Sequence, residues 1–340
     1  MTRLTLLVPD LFWPDRADSR PMAGLRLPAL ERVLGRGAHT PVSTGRWEWL
    51  LGAFGAEPAH PSGLAAASVR GLGSLPGEHG WLRADPVHLQ ARGTDLFLSR
   101  PAPGELTWHE AEGLLATLNA FFAPEGLRLE APRPDAWLIR LPAPVALDTV
   151  PTPAAHGRSV APLLPAGPQA RVWRRRLNEA QMLLHEHPVN DAREQAGRLP
   201  INSLWIWGGA VEPRARAAPA ARLLGGDDVL RGLALRAGMA VEDLPARWQG
   251  ATQATWVQWE QAREAAQRGD VAGWQEALRR LDQDWLAPAL AQLGSRKLHA
   301  LQLAGFGARA GLVAALSSGA ARHFWRRPMS LVAAASALPQ

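Results

Sequence analysis

Asp10 follows a near-continuous apolar run, residues 4–8, through Pro9. Such a run reads as a strand buried on both faces. Open α/β sheets place their sites at the carboxyl ends of such strands, so Asp10 is the first candidate acid. A second run, Ser203–Trp207, closes on Gly208-Gly209 and reads as a second central strand with a glycine loop at its carboxyl end. Trp205 and Trp207 flank Ile206 and therefore share one face of the strand, either as core or as the apolar wall of a ligand pocket at the glycine end. Asn190, Arg193 and Asn202 stand just upstream. Two amides and a planar guanidinium there suit a small anionic or polar ligand, and equally suit bracing of the loop. His185-Glu186-His187 offers two imidazoles, but positions two apart on a helix point apart, whereas a helical zinc pair is four apart. The segment reads as a helix end with His187 hydrogen-bonded near Asn190. Gly305-Phe306-Gly307 with Gly311 fits neither the dinucleotide fingerprint nor the phosphate loop, and reads as a tight strand-to-helix turn.

The elements that must position these residues follow from periodicity and punctuation. Helices are expected at 27–34, stopped by Gly35 and Gly37, and at 47–54 before Gly55. Residues 81–98 read as a hairpin around Ala91-Arg92-Gly93-Thr94. Thr107 with Glu110 is a capping box that opens a helix carrying Leu114, Leu115, Leu118 and Phe121. Strands are expected at 127–130, 136–141 and 298–303, and helices at 177–185, 227–237, 252–267, 271–293 and 309–316. The alternation predicts an α/β protein with a mostly parallel central sheet flanked by helices. Residues 1–141 form the first part of the core with a β-hairpin insertion, 142–168 a Pro/Ala-rich connection, and 169–340 the second part.

Composition narrows the chemistry. The 340 residues include no cysteine, which excludes disulfides, thiolate ligands and a cysteine nucleophile. No stretch reaches a membrane span and the start lacks a secretory leader, so the expectation is a cytoplasmic protein. The 37 basic residues include one lysine, Lys297, beside 15 tryptophans and no tyrosine. A formal charge of +6 over the whole chain is read as a solvated surface. Nucleic-acid binding through Arg174-Arg175-Arg176 and through Arg322, Arg326 and Arg327 is the less favoured alternative. The segment His323-Phe324-Trp325-Arg326-Arg327-Pro328 reads as a tail docked on its own fold, with partner or RNA binding as the alternative.

One stretch, His187-Pro188-Val189-Asn190 with Asn202-Ser203-Leu204-Trp205-Ile206-Trp207-Gly208, resembles the central motif of the archaeal-type cofactor-independent phosphoglycerate mutases, where His-Pro-x-Asn precedes Asn-x-x-Trp-x-Trp-Gly. A weaker likeness runs through Leu50-Leu51-Gly52, Glu57-Pro58, Gly63 and Trp81-Leu82-Arg83-Ala84-Asp85-Pro86-Val87. The overall form is similar to the shorter bacterial RpfE-type regulatory proteins. The resemblance implies an alkaline-phosphatase-superfamily fold with a small β-rich subdomain, a Ser or Thr nucleophile, and two divalent ions, Mn or Zn, held by Asp and His. It places Asp10 at the first metal-binding aspartate, Ser43 at the nucleophile and Arg83 among ligand-binding residues. Thr44, however, stands where the family has a metal-binding aspartate. No Asp-His dipeptide occurs, and residues 304–307 read Ala-Gly-Phe-Gly where that pair is expected. One carboxylate and one hydroxyl cannot cage two hard cations. The expectation is therefore a catalytically degenerate mutase-like protein, with no cofactor, that binds a small anionic ligand or a protein partner in a regulatory role. The alternative is a divergent metal-dependent mutase or phosphatase using Ser43, with Asp227, Asp228, Asp282 or Asp284 replacing the lost ligands.

Overall fold

The computed structural model describes residues 2–15, 18–56, 63–209, 212, 217–308, 310–322 and 325–339. Glu57-Pro58, Arg309 and His323-Phe324, named above, lie outside them. In chain order the strands among the described residues are β1 (Arg3–Val8), β2 (Ala38–Val42), β3 (Gly80–Arg92), β4 (Asp95–Ser99), β5 (Arg128–Arg133), β6 (Ala136–Leu141), β7 (Ser203–Trp207), β8 (Arg222–Gly225), β9 (Ala240–Glu242), β10 (Thr255–Gln258), β11 (Ala300–Phe306) and β12 (Gly311–Ser317).

The chain divides into two units, Met1–Glu57 with Ala215–Gln340, and Pro58–Arg214. The first is built on a seven-stranded sheet of order β2-β12-β11-β1-β10-β8-β9. The pairs β1–β10, β1–β11, β10–β8 and β8–β9 are parallel, while β12 runs antiparallel to β11 and β2. This is the expected mostly parallel sheet flanked by helices. On one face Leu4, Leu6, Val8, Leu301 and Leu303 pack into a core with the helices Pro28–Arg36 and Val271–Arg280. On the other, Trp49 of the helix Arg46–Ala53 stacks on Trp256 of β10, ring centroids 5.6 Å apart.

The second unit holds the antiparallel sheet β4-β3-β6-β5, with β7 also paired to β3. The capping box at Thr107 is present: Glu110 N donates to Thr107 Oγ1 at 3.3 Å and Thr107 N to Glu110 Oε2 at 2.8 Å. The helix it opens, Trp108–Phe122, contributes Leu114, Leu115 and Leu118 to this unit's core. Residues 142–168 lie wholly within this unit, tied by bridges from Asp148 to Ala166 and from Phe97 to Ser159.

Several expectations are corrected. The run Ser203–Trp207 is not a second strand of the parallel sheet; it pairs antiparallel with β3, Trp207 opposite Arg83. The helix expected over 252–267 is instead β10, a turn, and the short helix Arg263–Arg268. The closing helix expected over 309–316 is strand β12: the chain reverses and pairs Gly311 with Phe306. A short apolar run has no period that separates helix from strand, and pairing with the exposed side of β11 decides it. Gly35 does not stop its helix, which continues to Arg36. A Cβ at residue 35 would stand 2.2 Å from Arg327 O and 2.9 Å from Met329 N. That glycine therefore admits the docked tail, where Met329 N donates to Glu31 O at 3.0 Å. Among the described residues, no helix is long and apolar enough to cross a membrane.

Candidate functional site

The carboxyl ends of β1, β10 and β8 converge on a cluster of acids and guanidinium groups within the first unit. Asp10 stands two residues beyond β1 with a left-handed backbone, φ 57°, unusual for a residue with a side chain. Trp274 Nε1 holds that turn by donating to Asp10 O at 2.9 Å. Glu260 stands two residues beyond β10, as Asp10 does beyond β1. Asp227 follows Gly225 and Gly226 after β8 and caps the helix Asp228–Arg236, accepting from Leu230 N at 3.0 Å.

Two arginines fill the space between these acids, each the first residue of a helix. Arg46 reaches Asp227 Oδ2 at 3.4 Å through Nη2 and Glu260 Oε1 at 3.5 Å through Nη1. Its guanidinium lies over the Trp47 ring, 4.1 Å from the centroid, and its side chain is only 8% exposed. Arg263 Nε lies 3.4 Å from Asp10 Oδ2, and its Nη1 pairs with Glu260 Oε1. Gln258, buried at the end of β10, donates from Nε2 to Asp227 Oδ2 at 3.1 Å and to Glu260 Oε1 at 2.6 Å.

Three carboxylates against two guanidinium groups leave one negative charge in excess. The excess falls on Glu260. Burial and the like charge on Asp227 push its carboxyl up to about 8, against the opposing pull of Arg46. A proton on Glu260 restores the balance.

Ser43 follows β2, whose carboxyl end lies on the same edge of the sheet, and its side chain is exposed. No base among the described residues hydrogen-bonds to it. Of the four acids considered as replacement ligands, Asp227 joins the cluster. Asp282 does not: it is buried against the amino end of the helix Pro28–Arg36, accepting from Leu30 N at 2.7 Å, and burial raises its carboxyl. Asp228 is the first residue of the helix that Asp227 caps. Asp284 lies in the helical turn Leu281–Leu286, where its backbone O accepts from Trp248 N at 2.9 Å. Among the described residues, no group of three or more His, Asp or Glu is arranged to hold a metal ion. The donor set thus does not fit a pair of divalent ions, because its carboxylates already face guanidinium groups.

The remaining sequence candidates lie in the second unit. Arg83 and Asp85 form a buried pair, Arg83 Nη2 to Asp85 Oδ1 at 2.6 Å. Arg83 also donates to Ser68 Oγ at 2.8 Å, and Asp85 accepts from Thr152 Oγ1 and from Trp207 Nε1, the latter at 2.8 Å. Burial works to raise the Asp85 carboxyl, but Arg83, Arg100 and these hydrogen bonds hold it below its ordinary value. Asn190 bonds Leu184 O at 2.7 Å and both backbone groups of Ile201. Arg193 is fully buried and reaches Glu105 at 2.6 Å, Glu110 at 3.1 Å and Leu199 O at 2.8 Å. Asn202 clasps the backbone of Leu89, and Trp205 Nε1 donates to Val150 O at 2.7 Å. His187 caps the helix Pro188–Gln195, its Nδ1 accepting from Val189 N at 3.2 Å. At the glycine end of β7 a Cβ on Gly208 would meet Ala65 N at 2.7 Å, so the helix Leu64–Gly71 packs where a ligand would enter. A ligand held by these residues must displace contacts they already make.

Sequence reasoning missed Arg46, Arg263 and Glu260. The one signal available was the strand-like run Thr255-Trp256-Val257-Gln258, which ends two residues before an acid as residues 4–8 do before Asp10.

No protein-family model matches the chain. It is similar to the 2,3-bisphosphoglycerate-independent phosphoglycerate mutase of Methanosarcina acetivorans, 27% identical over 149 residues, which cover 42% of this chain and 38% of that one. Against the enzyme of the same description from Methanothrix thermoacetophila it is 32% identical over 108 residues, 30% of this chain and 28% of the relative. The matches thus span well under half the length of these relatives. Among solved structures, the PH0037 protein from Pyrococcus horikoshii superposes with TM-score 0.60 at 14% identity, covering 98% of this chain and 91% of that one. The cofactor-independent phosphoglycerate mutase from Thermoplasma acidophilum does so with TM-score 0.50 at 17% identity, over 99% and 95%.

Proposed function

We propose that the chain, which is similar in part of its sequence to cofactor-independent phosphoglycerate mutases and has a mixed α/β fold like that of one of them, is a degenerate member of that scaffold, in which two arginines stand in for divalent cations and the protein serves a ligand-binding or regulatory role. The observation that carries this reading is the placement of Arg46 and Arg263 between Asp10, Asp227 and Glu260. A guanidinium cannot be deprotonated in a protein, so its charge stays in the site. A divalent ion about 4 Å from one guanidinium would meet a repulsion of about 8 kcal/mol at an effective dielectric of about 20. A serine hydroxyl is a weak nucleophile until a base or a metal activates it, and Ser43 faces solvent without a hydrogen-bonded base among the described residues.

Asp227, which lies in the same cluster of acids and guanidinium groups as Asp10, is the feature that favours the metal-dependent alternative, and the same experiment separates the two. Purified protein, dialysed against Mn²⁺ and then assayed for metal content and for interconversion of 2- and 3-phosphoglycerate, is expected to carry no stoichiometric metal and to turn over neither substrate. Stoichiometric metal, with turnover that disappears in Ser43→Ala, would establish the mutase or phosphatase instead.

A further inference from the structure

The edge of the main sheet opposite the acid cluster is basic. Arg3 lies at the amino end of β1, five residues before Val8, which at about 3.3 Å per residue puts it roughly 17 Å from the end that carries Asp10. There a recess of about 510 Å³ opens over the amino ends of β1, β11 and β2 and the carboxyl end of β12. Its floor is of small side chains, Ala38, Ala300 and Ala315 among them, so the backbone of the sheet lies close beneath. Its walls carry three arginines: Arg3, Arg36 at the end of the helix Pro28–Arg36, and Arg326 from the docked tail. Gln302 and Ser317 add neutral hydrogen-bonding groups, and no carboxylate lines the recess among the described residues.

Arg46, Arg83, Arg193 and Arg263 each face a carboxylate. Arg3, Arg36 and Arg326 have none within ion-pair distance among the described residues, although like charges gathered around one recess repel. Two of the three are held in place by the backbone. Arg36 Nη1 donates to Ala321 O at 2.7 Å, and Arg326 Nη1 to Arg36 O at 3.3 Å. Arg36 Nε is buried and has no acceptor among the described residues, which a native structure rarely leaves so. Two guanidinium groups fixed by backbone carbonyls and an uncompensated positive charge lack the same thing, an oxygen acceptor carrying negative charge.

We propose that this recess binds a small, multiply charged oxyanion, such as the phosphate group of a phosphorylated metabolite, at a site separate from the Asp10 cluster. The proposal does not depend on whether Asp10 binds metal. The test is isothermal titration of the full chain with inorganic pyrophosphate in low salt. The expected result is one saturable site whose affinity falls at least tenfold in Arg3→Gln and again in Arg326→Gln, both exposed positions whose replacement leaves the fold intact by circular dichroism. Asp10→Asn, at the other edge, is expected to bind as the wild type does. No saturable binding, equal affinity in the arginine variants, loss in Asp10→Asn, or binding of a single-stranded oligonucleotide without binding of pyrophosphate would each overturn it.

Discussion

Replacing Glu260 with Gln tests the charge balance of the acid cluster through stability. In the folded chain burial and Asp227 raise the Glu260 carboxyl from 4.5 to about 8. Between those values the folded state holds a proton that the unfolded state has released, so stability falls as pH rises. The contribution is fully present below about pH 4.5 and is lost as pH passes through about 8. At about 1.36 kcal/mol for each tenfold change in proton concentration, the wild type loses about 3 kcal/mol through this one group between about pH 5 and pH 8. Gln keeps the shape, carries no titrating proton and still offers an oxygen to Gln258. Urea unfolding followed by tryptophan fluorescence at those two pH values is therefore expected to show a fall in the wild type that is about 3 kcal/mol smaller in Glu260→Gln. The difference between the two proteins isolates the residue, because every other titrating group is common to both. Parallel pH dependence would mean that Glu260 is ionised throughout, and the reasoning about excess negative charge would be wrong.

Other consequences follow from buried contacts. Arg193→Met removes the fully buried guanidinium that faces Glu105 and Glu110; because Glu110 keeps Arg198 at 2.9 Å and Glu105 is partly exposed, the cost is expected at the low end for a broken buried pair, about 3 kcal/mol; thermal unfolding of the variant measures it, and an unchanged midpoint would contradict the assignment. Gly35→Ala places a Cβ 2.2 Å from Arg327 O, so the tail is expected to undock and to be cut by trypsin at Arg326 or Arg327 earlier than in the wild type, which limited proteolysis reads directly. Thr107→Ala removes the acceptor for Glu110 N and is expected to cost about 1 kcal/mol, measurable by urea unfolding.

Local signals in the sequence carried part of this architecture. Residues 4–8 and Pro9-Asp10 were legible as a buried strand with an acid at its end because the run is apolar and punctuated. The hairpin of β3 and β4 and the box at Thr107 and Glu110 were legible because each depends on residues within a few positions. Thr255–Gln258 and Gly311–Ser317 read as helix in the sequence, because a short run carries too little period to separate strand from helix: pairing with β1 at the far end of the chain decides the first, and pairing with the adjacent β11 the second. The insertion of the second unit was hidden for a related reason: its limits fall at 58 and 214, while the proline-rich stretch that looked like a boundary is folded inside it. The pairing of Arg46 with Glu260 spans 214 positions and that of Arg263 with Asp10 spans 253. Only the parallel order of β1, β10 and β8 brings those side chains together, and no spacing along the chain announces it.

Electron paramagnetic resonance of Mn²⁺ titrated into the purified chain tests the exchange of cations for guanidinium groups most directly, because only free Mn²⁺ gives the sharp six-line spectrum. The account predicts a signal that grows with added Mn²⁺ as in buffer alone. Loss of one or two equivalents of that signal per chain, restored on changing Asp10 to Asn, would contradict it.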